Sequence, residues 1–263
     1  MTHPTDPTLV LLHGATLNAH MWDAVRRHLN PRFRIIVPDL PAHGARRGEP
    51  FTLAGAIETV QAAVASVAGA PVVLVGDSLG GYTAQAAAPL IAQGQLKGLV
   101  LGGSTAVLKG PNVLPYLATV GLFRLLMAGF GEPRLIRTLI PRSLRRQGLA
   151  EQDIQSMLDA GLSIRVFGVA VAAIRDFDAL KNLVAISAPI LFINGDRDTN
   201  MVRGEPQFLA LARQGRAHRF EKCGHGVSIL RPVEFAALTN DFAAAVFGLS
   251  DFVHHGEASL DKA

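Results

Sequence analysis

Cysteine is all but absent from this chain. Cys223 is the only one, which rules out an internal disulfide and any cluster of thiolate metal ligands. Charge is sparse too, at 17% of residues against 49% hydrophobic ones, a balance that excludes a disordered chain and describes a globular protein with a sizeable core. The formal net charge of +4 is modest for 263 residues, with arginine greatly outnumbering lysine. It is too weak and too scattered to point to a nucleic acid. Long clean hydrophobic runs are missing. The most apolar segment, Val113 to Phe130, is interrupted by Pro115, Gly121, Arg124 and Gly129 and falls short of a roughly 20-residue span. It reads as an amphipathic helix covering something, with no stable membrane insertion expected. Met1 to Pro7 carries no basic n-region, and the apolar run Leu9 to Leu12 is too short for a signal peptide, so the expected location is cytoplasmic. Internal repeats and low-complexity blocks are lacking as well.

What is present is organised around Val72-Val73-Leu74-Val75-Gly76-Asp77-Ser78-Leu79-Gly80-Gly81. Four β-formers stop at Gly76, and Tyr82 to Ala88 favours helix. Gly76-x-Ser78-x-Gly80 therefore lies between a predicted strand and a predicted helix, the setting in which this pattern presents a nucleophile. A sharp strand-to-helix turn brings backbones together, so the positions flanking the serine must lack bulk. The serine itself is left on a strained tip at the carboxyl edge of a sheet, facing the positive end of the helix behind it.

Around this centre, strands and helices alternate. Thr8 to Leu12, Arg34 to Pro38, Val72 to Val75 and Leu96 to Leu101 read as buried strands. Met21 to Leu29 and Thr52 to Ala68 read as helices between them. This rhythm predicts an α/β fold with a mostly parallel, doubly wound sheet. From Thr105 to about Ser187 the strands disappear and the segment reads as helical, with breaks near Gly110-Pro111, Gly131-Glu132-Pro133, Pro141 and Gly161. The sheet pattern returns at Ala188 to Asn194, followed by a short strand near Ala217 to Phe220 and a closing helix from Pro232 to Phe247. The tail from Ser250 is polar. Residues 1–104 and 188–263 are thus expected to form the core, and 105–187 a helical cap over the carboxyl edge of the sheet, where ligands bind in open α/β sheets.

A serine hydroxyl needs a base within hydrogen-bond reach, and the base needs a partner that fixes its tautomer. Gly195-Asp196-Arg197-Asp198 offers two carboxylates just past a strand end. Asp198 is preferred, because the extra residues let the loop turn, and Asp196 is the alternative. His225, flanked by Gly224 and Gly226, is the candidate base. His28 is expected on a solvent-facing helix surface, and His254-His255 lie in the tail. An oxyanion would be held by the backbone N–H of Leu79 and one from the loop after the first strand, at Ala15 or alternatively Thr16. His13 is expected to hold that loop rather than do chemistry.

Leu11-Leu12-His13-Gly14, Pro38 to Gly44, Gly76 to Gly81, Pro189 to Asp198 and Gly224-His225, in that order and spacing, resemble the α/β-hydrolase superfamily. The resemblance implies a Ser78–His225–Asp198 triad, a reaction without metal or cofactor, and a cap that sets substrate choice. Two departures stand out. Only seven residues precede the first strand, so the family's usual opening hairpin should be missing, as in its shorter esterase and hydroxynitrile-lyase branch. The residue before the nucleophile is Asp77 where histidine is frequent, and its side chain, pointing away from that of Ser78, reads as structural.

The expected activity is hydrolysis of a carboxylic ester of a small to medium apolar molecule through an acyl-enzyme. The alternatives are cleavage of a C–C bond or elimination with the same triad, and a non-catalytic small-molecule-binding module. The partner expected is a small-molecule substrate, and the sequence specifies no oligomeric state. Tyr116 to Phe130 and Ile164 to Val171 give the cap an apolar supply, read as burial against the core or as a pocket for an acyl chain or ring. Arg134, Arg137, Arg142, Arg145 and Arg146 read as a solvated helix face, with an anionic substrate or a membrane surface as other readings.

Overall fold

Five runs rich in valine, leucine and isoleucine supply the strands β1 (Thr8–Leu12), β2 (Arg34–Ile36), β3 (Val72–Asp77), β4 (Leu96–Gly102) and β5 (Ile190–Gly195), and a polar run supplies the edge strand β6 (Gly215–Phe220). They are all parallel, in the order β2-β1-β3-β4-β5-β6. The computed structural model describes residues 6–67 and 69–249. Ala68, assigned above to a helix, and the tail with His254-His255 lie outside them.

Alternate residues of each strand enter opposite layers. Val10, Leu12 and Leu74 pack on one face against Val60 and Val64 of α2 (Leu53–Ala65). Leu9, Leu11, Val73 and Val75 pack on the other against Trp22 and Phe235. With both faces covered, the inner strands β1, β3, β4 and β5 read as apolar runs rather than alternating ones, whereas the edge strands β2 and β6 are less buried.

The remaining helices are α1 (Asp23–Arg26), α3 (Leu79–Ala87), α4 (Leu114–Phe130), α5 (Glu132–Arg146), α6 (Glu151–Ala160), α7 (Val166–Asp176), α8 (Ala179–Val184), α9 (Thr199–Leu211), α10 (Val227–Leu230) and α11 (Pro232–Phe247). Every element between β4 and β5 is helical. Of these, α8 packs on α3 and α9; α5 packs between α4 and α6, α7 packs on α4 and reaches α2 and α3, and α6 packs on the turn before α1. They are tied to the sheet's carboxyl edge by specific bonds. The buried Asn18 side chain donates to the carbonyls of Met157 (2.8 Å) and Gly161 (3.0 Å), Ser163 N–H donates to Thr16 O at 3.2 Å, and Arg27 forms a bidentate pair with Asp153 at 2.8 and 2.7 Å.

Several boundaries differ from expectation. The predicted helix over Met21 to Leu29 is a 3-10 turn (Ala19–Trp22) followed by the single turn α1, because the Asn18 side chain accepts from His20 N–H and starts the turn early. Strand β2 stops at Ile36 rather than Pro38; it lies at the edge, its register with β1 ends at Ile36, and a proline adds no donor. Pro141 does not break α5, which runs through it with Pro141 and Leu144 on its buried side. Helix α9 was not expected. Pro206 disguised it, yet Met201, Glu205 and Phe208 share its buried face at helical spacing. The segment Gly110–Phe130 is, against expectation, long and apolar enough by length and composition to cross a bilayer. Pro115 falls in the first turn of α4, where proline is tolerated. Along one side, however, α4 packs on α5 and α7.

Candidate active site

The elbow has the steric cause expected of it. A Cβ at Gly76 would collide with the backbone of Gly80, and one at Gly80 would collide with the carbonyl of Leu12. Only glycine lets α3 start this close to β1. Ser78 pays with φ 53° and ψ −116°, a strained conformation for a residue with a side chain. Its N–H donates to Gly102 O at 2.8 Å, holding the strained residue at the end of the β3–β4 ladder.

His225 bridges the two other residues predicted to act with it. Its Nε2 lies 2.9 Å from Ser78 Oγ, and its Nδ1 lies 2.5 Å from Asp198 Oδ2. Nδ1 therefore carries the proton toward the carboxylate and Nε2 is left to accept from the serine hydroxyl. Ser78 follows β3, Asp198 follows β5 at the start of α9, and His225 follows β6, so parallel strands bring all three to one edge. Burial lowers the proton affinity of the imidazole, but the hydrogen bond and charge of Asp198, with the charge of Asp77 behind, outweigh it and raise its pKa above the ordinary 6.5. The side chain nonetheless keeps 42% of its surface exposed.

The choice between the two carboxylates is made by the loop. Asp196 turns away, accepting from Cys223 N–H at 3.1 Å. The backbone of Lys222, with that of Cys223, holds its carboxyl below the usual range. Asp198 does not cap α9 with its side chain, so the carboxylate is free for His225 and also lies at a helix N-terminus, where negative charge is favoured.

The loop after β1 lies across the switch point of the sheet, where β1 and β3 feed loops to opposite sides. A Cβ on Gly14 would lie 3.7 Å from Ser78 Cβ, so the residue just before Ala15 runs beside the nucleophile. Thr16, the other candidate, has φ 71° and offers its carbonyl to Ser163. His13 is fully buried. Leu40 N–H donates to its Nε2 at 3.0 Å, and its Nδ1 lies 2.9 Å from Gly14 O. That neutral tautomer ties two loops together, the holding role expected. His28 is exposed, as expected, but lies in the turn after α1 rather than on a helix.

Three neighbours had escaped notice. Ser228, in the first turn after His225-Gly226, donates both its N–H (3.1 Å) and its hydroxyl to Asp77 Oδ2. Gly103, at φ 52°, lies under the His225 ring. Tyr116, counted above only as apolar supply, is pushed up to about 12 by burial and then by the charge of Asp198, against a hydrogen bond with Asn200. The strand-ending Gly102-Gly103 was the one visible signal among them.

The model of the alpha/beta hydrolase family matches residues 9–238. Among curated proteins, the chain is 28% identical over 251 residues to a pimeloyl-(acyl-carrier protein) methyl ester esterase of Serratia marcescens, covering 90% of this chain and 94% of that one. It is 29% identical to the protein of the same name in Citrobacter koseri, covering 86% and 90%. Among solved structures, a carboxylesterase of Nitrososphaera gargenis superposes with a TM-score of 0.74 at 17% identity, over 94% of this chain and 93% of that one. A thermophilic esterase of Thermogutta terrifontis superposes with a TM-score of 0.69 at 23% identity, over 93% and 92%.

Proposed function

The chain belongs to the α/β-hydrolase family and is a carboxylic ester hydrolase; from that premise we propose that it works through a Ser78–His225–Asp198 triad and an acyl-enzyme. The observation that carries this reading is the His225 ring hydrogen-bonded at once to Ser78 Oγ and Asp198 Oδ2. Ser78 Oγ attacks the ester carbonyl while His225 Nε2 takes its proton. Asp198 fixes the tautomer and stabilises the imidazolium. The carbonyl oxygen becomes an oxyanion, and the N–H groups of Leu79 and Ala15 are the donors proposed to hold it. The C–O bond to the alcohol then breaks, and the alkoxide leaves with the proton from His225. Water, deprotonated by His225, attacks the acyl-enzyme and restores Ser78.

We take 105–187 as a cap that shapes the substrate site. Tyr116, Val120 and Phe167 pack inward against the core from α4 and α7, which supports a small to medium apolar ester as substrate. The relatives named for methyl esters of a carrier-bound acyl group support an acyl chain on that side and a small alcohol as leaving group.

The test is a p-nitrophenyl ester series by chain length on wild type and Ser78→Ala, beside fluorophosphonate labelling. Turnover should fall by roughly 10⁴-fold or more in the variant, with labelling confined to Ser78. Turnover intact in Ser78→Ala overturns the reading.

A further inference from the structure

The apolar surface and the positive charge of this protein are concentrated in one place. None of the 17 residues of α4 is buried. Leu114, Leu117, Leu122, Leu125 and Phe130 are all exposed, Leu125 by 71%. Single exposed leucines are ordinary, but a helix-long row of them is not. Residues 105–148 hold seven basic side chains and one acidic one, whereas the rest of the chain holds 18 and 20. Within that segment, among the described residues, Arg145 pairs with Glu151 at 2.6 Å, while Arg124, Arg134, Arg137, Arg142 and Arg146 enter no ion pair. The two features are contiguous: the guanidinium of Arg134 lies 5.9 Å from the centre of the Phe130 ring.

We propose that α4 and the arginine face of α5 form a docking surface for an anionic lipid bilayer. A helix with leucine and phenylalanine exposed along one side and arginines beside it is suited to lie in the plane of the headgroups, its apolar side chains entering the acyl boundary and its cations among lipid phosphates. Because the other side of α4 packs on α5 and α7, the contact is peripheral rather than spanning. A second copy of this chain is a poor occupant, since it would bring a second set of unpaired arginines against the first. An acidic protein would satisfy the arginines but leaves the row of leucines unexplained. The same helix borders the candidate site on its inward side, where Tyr116 packs against the core and feels the charge of Asp198. An apolar ester dissolved in the bilayer would thus meet the enzyme at the helix that borders its chemistry. The inference rests on surface composition and stands whether or not the triad reading holds.

The test is co-sedimentation with vesicles of phosphatidylcholine alone and with about one-third phosphatidylglycerol. Leu122→Asp/Leu125→Asp and Arg134→Glu/Arg137→Glu are compared with wild type. All four side chains are exposed, so melting temperatures should not move, and hydrolysis of a short soluble ester should be unchanged. The expected result is binding to the anionic vesicles, weakened at least about tenfold on neutral ones and about tenfold or more in each variant. Absence of binding to anionic vesicles, or binding that both variants retain, overturns the proposal. So does wild type that self-associates, or is held by an immobilised acidic protein, through these same residues without binding vesicles.

Discussion

Asp77 holds Ser228: one carboxylate oxygen accepts both the backbone N–H and the hydroxyl of the residue three places after His225. The side chain is 1% exposed and directly precedes the nucleophile. A single residue therefore fixes the distance between the strand that carries Ser78 and the loop that carries His225.

Asp77→Asn should consequently damage catalysis without touching substrate. The amide keeps one acceptor but loses the charge that helps raise the pKa of His225. We expect about a tenfold loss in kcat with KM little changed, a destabilisation of about 1–3 kcal/mol, and an acid limb of the pH profile shifted down. Ser228→Ala should cost less, and the double variant should fall short of the sum. Additive losses, or an unmoved acid limb, would show that Asp77 acts independently of this link.

Catalysis needs neutral His225, whose pKa is raised above 6.5. Activity should therefore fall as pH drops through an apparent pKa above that value. In Asp198→Asn the limb should move down while kcat drops by up to about 10⁴-fold. The effect on stability has the opposite sense. A raised pKa in the fold adds stability that is complete below 6.5 and fades as pH rises through the folded value. Kinetic and unfolding titrations of the same preparation should cross in this way.

Gly103→Ala tests the floor under the imidazole. A methyl there would lie 3.1 Å from His225 Cε1, on a backbone with φ 52°. The ring must shift by a few tenths of an ångström, enough to lengthen its bonds to Ser78 and Asp198. We expect kcat to fall by roughly 10–100-fold, with a destabilisation of about 1–3 kcal/mol from the positive φ that shows as a lowered melting temperature. Wild-type turnover in this variant would mean that the ring position is not critical.

His13 predicts how the fold responds to acid. Burial first, then the nearby His43, pushes its pKa down to about 3, against the pull of the Gly14 carbonyl and Asp39. His43 is lowered too, chiefly by burial. Groups with depressed folded values add stability above the unfolded value of about 6.5 that is lost as pH falls below it. Urea unfolding between about pH 6.5 and pH 5, where most carboxylates remain charged, should show declining stability. His13→Asn should be less stable at neutral pH but flatter over this range. An equal slope in the variant would assign the acid sensitivity elsewhere.

The sequence by itself determined the elbow, because the reason is local: no residue but glycine fits at 76 and 80 beside a tight strand-to-helix turn, and the serine between them has one place to go. It also determined the parallel sheet, since apolar runs without alternation need cover on both faces, and the order in which serine, acid and histidine follow their strands. Tertiary structure decided what depends on how loops fold back. The sequence favours Asp198 over Asp196 only by its distance past the strand, and the turn that commits Asp196 to the Lys222–Cys223 backbone is what leaves Asp198 for His225. The tie from Asp77 to Ser228 spans 151 positions and has no local signature. In the same way, the leucines of α4 look like any helix awaiting cover, and whether cover arrives is set by packing elsewhere: α5 and α7 take one side of it, and the other faces outward.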